Sequence, residues 1–152
     1  PLLRVARLHV DASVGSVLTP AGLDKSVDLI TVQYYKDPTD PQWKGDAAMR
    51  LYGQIMRKYA PGASVDDVYH VYGMAVAWTV MEALRKAGKD LSRASLLAAV
   101  GTLNASGNPF LLPGIAVKTA GSDHFPIEQM VLQRWQKGSW KSFGGLWGYR
   151  AA

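Results

Sequence analysis

Residues 27–35, Val27-Asp28-Leu29-Ile30-Thr31-Val32-Gln33-Tyr34-Tyr35, are crowded with β-branched and aromatic side chains. Such side chains suit a pleated, half-buried surface, so the run predicts the best strand in the chain. Residues 36–46 (KDPTDPQWKGD) then carry two turn signals and lead into a helix. Asp40 before Pro41, or Asp46 slightly later, can cap it, and Ala48, Leu51, Tyr52, Ile55, Met56 and Tyr59 recur at spacings of three and four. Pro61-Gly62 ends the pattern. A strand that runs through a turn into a capped amphipathic helix is the repeating unit of an α/β fold.

The flanking sequence extends the pattern. Residues 2–10 read as a short strand interrupted by Arg4 and Arg7, and residues 12–18 as one or two helical turns closed by Thr19-Pro20-Ala21-Gly22. Downstream, Ser64-Val65-Asp66-Asp67 opens a long helix in the manner of a capping box, and its apolar stripe is Val68, Tyr69, Tyr72, Ala75, Val76, Thr79, Val80, Ala83 and Leu84. Because so much of its surface is small and apolar, it is expected to be central and well buried, with Gly88 stopping it. Asp90 or Ser92 caps a third helix that turns Leu96, Leu97, Val100 and Leu103 inward. Residues 104–126 are loop-like apart from a short strand near 115–118; a loop that long is functional or belongs to a larger structure. Residues 129–135 and 140–143 form a hairpin around Lys137-Gly138, and residues 144–152 read as a tail. These elements leave a sheet short of strands.

The 152 residues hold 48% hydrophobic and 19% charged side chains, which suits a packed core and excludes disorder. The absence of Cys excludes disulfide frameworks, Cys-ligated zinc, iron–sulfur clusters and thiol nucleophiles. No apolar run approaches the ~18 residues of a membrane span. Seventeen basic residues against twelve acidic give a net charge of +5. The cations are scattered rather than gathered in a stripe: Arg57 and Lys58 end one helix and Arg85, Lys86 and Lys89 another, where they complement the helix dipole. Nucleic-acid binding is therefore not expected.

The chemistry inventory contains no catalytic signature. His9, His70 and His124 show none of the spacings of a metal site, and there is no nucleophile elbow, P-loop or dinucleotide fingerprint. Asp66 and Asp67 are explained by capping rather than by acid–base work. Neither an enzyme, a metal nor a cofactor is expected. What does stand out is polar and aromatic residues near helix starts and strand ends: Asp11, Ser13 and Ser16 after the first strand, and Tyr69, His70 and Tyr72 in the first turns of the long helix. Small ligands of open α/β sheets collect at such places.

Three blocks carry a family resemblance: residues 13–43 (SVGSVLTPAGLDKSVDLITVQYYKDPTDPQW), 66–93 (DDVYHVYGMAVAWTVMEALRKAGKDLSR) and 111–140 (LLPGIAVKTAGSDHFPIEQMVLQRWQKGSW). In order and spacing they resemble the C-terminal portion of the type I periplasmic solute-binding proteins of ABC transporters, the branched-chain amino acid binding family. The resemblance implies an α/β chain that is part of a two-lobed type I periplasmic-binding-protein fold with a C-terminal β-hairpin. It also implies that residues 1–152 are a C-terminal fragment with parts of both lobes and most of the first lobe absent. In that family a ligand is clamped between the lobes, and the likeness places Asp11 and Ser13 on the second lobe's side of the cleft. It places Asp67, Tyr69 and His70 at the start of the helix on the other side. Residues 4–12 (RVARLHVDA) depart from the more polar phrase of the family.

On this basis the expected function is capture of a small solute, such as a branched-chain or related amino acid or carboxylate, by a periplasmic, non-enzymatic component of an ABC importer. Its partners are the solute and the permease subunits. The alternative is a truncated structural or self-associating fragment without solute binding, which forms a homodimer through the face left by the missing lobe.

Overall fold

The computed structural model describes residues 8–10 and 13–148. Strand β1 (Leu8–Val10) is followed, after Ser13, by a π-helical turn (Val14–Leu18) that continues into the single turn α1 (Thr19–Ala21). Gly22, with φ of 94°, ends the helical stretch as the Thr-Pro-Ala-Gly phrase predicts. Strand β2 covers Ile30–Gln33 only, less than the run from which it was predicted. Residues 23–28 are turn, Asp28 adopts φ of 66°, and the Leu29 N–H donates to the Ser26 carbonyl. At the other end Tyr35 rejoins a partner through an isolated bridge to Leu111.

Both capping aspartates act. Asp40 caps the 3-10 turn Pro41–Trp43, and Asp46 caps α2 (Ala47–Tyr59) by accepting the N–H groups of Ala48 and Met49. Asp46 also takes the Lys36 ammonium at 2.7 Å, and the Lys36 charge lies 4.9 Å above the Trp43 ring. The face of α2 that enters the core is Ala48, Tyr52 and Met56, one residue per turn. Leu51 and Tyr59, expected inside, are exposed.

Helix α3 (Val68–Ala87) begins at the Asp67 cap and stops at Gly88, as expected, with Arg85 and Lys86 in its last turn. Its burial is as expected only in part. Val68, Ala75 and Ala83 face the core as the stripe predicts, joined by Val71, whereas Tyr69, Tyr72, Val76, Val80 and Leu84 are exposed. A helix apolar on two sides needs two partners, and the described residues cover one. Helix α4 (Arg93–Val100), capped by Ser92, likewise buries Ala99 rather than Leu97 or Val100; Leu103, just beyond it, is inside as predicted.

Residues 104–126 are more ordered than a loop reading allows. Strands β3 (Asn104–Ala105) and β4 (Val117–Lys118) pair antiparallel, and Phe110, Leu111, Leu112 and Ile115 between them are buried. The segment is stitched in by backbone bonds, Lys36 N–H to Phe110 O and Leu112 N–H to Tyr34 O, both 2.9 Å. The Asn108 amide donates to the Ala75 carbonyl inside α3 at 2.9 Å. The backbone's polar groups therefore find partners without regular secondary structure.

The hairpin is β5 (Gln129–Gln136) and β6 (Ser139–Gly148), turned by Lys137 (φ 52°) and Gly138 (φ 74°), the left-handed pair of a tight two-residue turn. β6 extends well into the stretch expected to be tail. Gly144 and Gly145, both at φ of 72°, form a bulge between the Leu132–Phe143 and Val131–Leu146 pairs, after which pairing resumes to Gly148. The four-stranded sheet has order β1-β2-β5-β6, with β1 parallel to β2 and the rest antiparallel.

Two apolar clusters result. Tyr35, α2, α3 and residues 110–117 form the larger, and Val14, Leu18, Trp135 and Trp140 form the smaller against the sheet. Trp135 and Trp140 meet edge to face at 5.2 Å. Tyr34 and Tyr35, in edge contact at 4.6 Å, carry the chain from the sheet to the larger cluster.

Candidate functional site

Segments 51 residues apart in sequence meet where the π-helical turn approaches the start of α3. Ser13, fully buried, caps the turn: its Oγ accepts the Ser16 N–H at 3.2 Å and the Ser16 hydroxyl at 2.9 Å. The same Ser16 Oγ lies 3.5 Å from Asp67 Oδ1, which accepts the Tyr69 N–H at 3.0 Å. Gly15 permits the approach, since a Cβ there would stand 3.1 Å from the Asp66 carbonyl oxygen. The two serines and the aspartate thus form one polar cluster at the N-terminus of a 20-residue helix, where free N–H groups and the dipole also act.

The loop before α3 is held from beneath. Tyr52, buried on α2, donates its hydroxyl to the Val65 carbonyl at 2.8 Å and stands 3.5 Å from the Asp67 carbonyl. Burial, and then the negative charges of Asp67, Asp66 and Asp37, push its phenol up to about 12. The His70 ring turns back to donate Nδ1–H to the Ser64 carbonyl at 3.1 Å, which leaves Nε2 on the outer side of the ring. Tyr69 and Tyr72 project from the first two turns, both 45% exposed, and Tyr72 lies 6.1 Å from the Tyr35 ring.

A second polar feature lies two residues beyond Tyr35. Asp37, almost fully buried, accepts the Thr39 N–H at 2.8 Å and hydroxyl at 2.6 Å through Oδ1, while Oδ2 has no partner among the described residues. Burial raises its carboxyl above the usual range, against the opposing pull of Thr39 and the nearby Trp140 indole, which completes no hydrogen bond among the described residues.

Of the residues singled out in the sequence, Ser13 and Asp67 are brought together, with Ser16 between them. Tyr69 adjoins them through its backbone, and His70 stands one residue further along α3. Asp11 lies outside the described residues. The sequence pattern did not point to Tyr52, which reads as one more core aromatic, although its spacing from Asp67 along two capped helices is the signal that could have found it. Among the described residues no three His, Asp or Glu side chains gather into a group that could hold a metal ion. Nor is any helix there long and apolar enough to cross a membrane.

No family model matches the sequence, and no curated protein is similar to it. The fold is that of part of a periplasmic-binding protein, α/β with a C-terminal strand hairpin. The chain superimposes on the crystal structure of a branched chain amino acid ABC transporter from Thermus thermophilus with bound valine, with a TM-score of 0.76 and 18% identity. The match covers 97% of this chain and 40% of that one. At that identity the likeness establishes the fold.

Proposed function

We propose that this chain is the C-terminal portion of a periplasmic solute-binding component of an ABC importer, contributing parts of both lobes. It captures, without chemistry, a branched-chain or related amino acid or a small carboxylate, and delivers it to permease subunits. The observation that carries the reading is the superposition, over nearly the whole chain, on a transporter structure that holds valine. The polar cluster supports it. Asp67 Oδ2 makes no hydrogen bond among the described residues and suits a ligand ammonium, with the Ser16 hydroxyl beside it. The Tyr69 and Tyr72 rings and the His70 imidazole offer the wall for a side chain, Asp11 belongs to the opposing polar edge in this reading, and the buried Ser13 holds the Ser16 hydroxyl in place. Closure favours the bound state only by the ligand's differential affinity for it.

Titration calorimetry of the folded chain with the twenty amino acids and small aromatic acids tests this. Heat with at least one of them is expected, with affinity falling about tenfold in Asp67→Ala, the scale of one lost charge-assisted hydrogen bond. The second reading, a self-associating fragment without solute binding, is favoured by the exposed apolar side of α3. No heat from any compound, together with a dimer in sedimentation, would decide for it.

A further inference from the structure

Two buried polar groups that the Ser13–Asp67 cluster does not use lie next to each other. Asp37 and Trp140 are only 3% and 2% exposed, and neither Asp37 Oδ2 nor Trp140 Nε1 has a hydrogen-bond partner among the described residues. One is an acceptor and the other a donor, and the indole lies close enough to act on the carboxyl. We propose that the pair is a proton-operated tether. The ionised Asp37 carboxylate draws in the Trp140 indole N–H and ties the segment after Tyr35 to the terminal hairpin, and the protonated acid releases it.

Each group is held in place. Asp37 Oδ1 accepts both the Thr39 N–H, at 2.8 Å, and the Thr39 hydroxyl, at 2.6 Å, which occupies its lone pairs and fixes the plane of the carboxyl. An added proton therefore goes to Oδ2. An O–H then stands where the indole N–H needs an acceptor, and two donors do not bond. The Trp140 ring is fixed by its edge contact with Trp135 at 5.2 Å, the residue it pairs with across the hairpin. The tether spans two parts of the fold, since Asp37 follows Tyr35 of the larger apolar cluster and Trp140 belongs to the smaller.

The surroundings set the direction of the response. Asp37 makes no ion pair among the described residues, and the adjacent Lys36 ammonium is committed to Asp46 at 2.7 Å. On β5 and β6, Arg134 and Lys141 pair next to the Trp135–Trp140 pair, so strand alternation turns them to the other face of the sheet. Tyr52 on α2 feels the Asp37 charge but keeps its own proton to about pH 12. Burial raises the Asp37 carboxyl and the Asp40 charge adds to the rise, while Thr39 and the indole oppose it. The tether thus opens as pH falls through a midpoint above the usual 3.8. A carboxyl that holds its proton more tightly folded than unfolded contributes stability that is complete below 3.8 and lost as pH rises through the folded value. Release is therefore a local event and not acid unfolding.

The test follows the Trp140 indole N–H by nitrogen–proton NMR as pH is lowered from neutral. Its resonance is assigned by its loss in Trp140→Phe or, if that variant unfolds, by Overhauser contacts to the Trp135 ring. An upfield shift with a single midpoint above 3.8 is expected, in a chain that circular dichroism shows to stay folded. Asp37→Asn should flatten the curve. Thr39→Val, which takes one donor from Oδ1, should keep the titration and move its midpoint higher. An indole resonance that stays still down to about pH 3, where ordinary carboxyls have largely titrated, would overturn the proposal. So would a shift that persists in Asp37→Asn, a midpoint that Thr39→Val leaves in place, or unfolding of the chain before the indole moves.

Discussion

At the residue scale, Tyr52 links the core to the polar cluster. Its phenol is stabilised in the neutral form, since burial and three nearby carboxylates raise it from 10.0 to about 12. Between those values the unfolded chain releases a proton that the folded chain keeps. The stability contributed by Tyr52 is therefore complete below pH 10 and is lost as pH rises toward 12. Urea melts at pH 9, 10 and 11 should show the fall, and Tyr52→Phe should flatten it. The variant should also lose about 1 kcal/mol at neutral pH, because the Val65 carbonyl loses its donor. What the sequence made legible at this scale was capping: Asp46, Asp67 and Ser92 precede helices and accept their first N–H groups, as their short polar side chains predict. The Ser16–Asp67 approach was not legible, because it depends on a glycine, Gly15, whose role appears only when two distant segments are packed together.

At the element scale, the bulge in β6 decides where Trp147 stands. Any side chain at Gly144 meets both a left-handed backbone and the indole. Gly144→Ala should cost about 1–2 kcal/mol from the backbone alone, seen as a lowered melting temperature, and should change the Trp147 emission. Gly145→Ala, which meets no atom but shares the positive φ, should cost stability without disturbing the indole. The hairpin turn was legible because Lys137-Gly138 stands between alternating residues. The length of β6 was not, since Gly-Gly reads as an end to a strand and here bends one instead. Helix α3 shows the complementary difficulty. Its start and stop follow from Asp67 and Gly88, but an apolar stripe on each side does not say which one the core takes.

At the scale of the whole molecule, the exposed side of α3 adjoins an apolar groove of about 400 Å³ formed with Tyr34, Phe125 and Met130. Contiguous apolar surface of this kind marks an interaction face. The 152-residue chain is expected to self-associate in sedimentation runs at high concentration. Val76→Glu combined with Val80→Lys should return it to monomer with stability changed by no more than about 0.5 kcal/mol, as both side chains already lie in solvent. Unchanged association would place the contact elsewhere. The α/β class and the terminal hairpin were readable because local patterns specify them. The partition into two apolar clusters joined by Tyr34 and Tyr35 emerges only from packing.

The central claim is that a small solute is gripped where the π-helical turn meets α3. An amide-resolved NMR titration with valine, and then with the other amino acids and small carboxylates, tests it most directly. The account predicts that at least one compound shifts the amides of Ser13, Ser16 and Asp67 to His70 together, with saturation, and that Asp67→Ala removes the response. A folded chain in which none of the compounds moves those amides, or in which only amides elsewhere move, would contradict it.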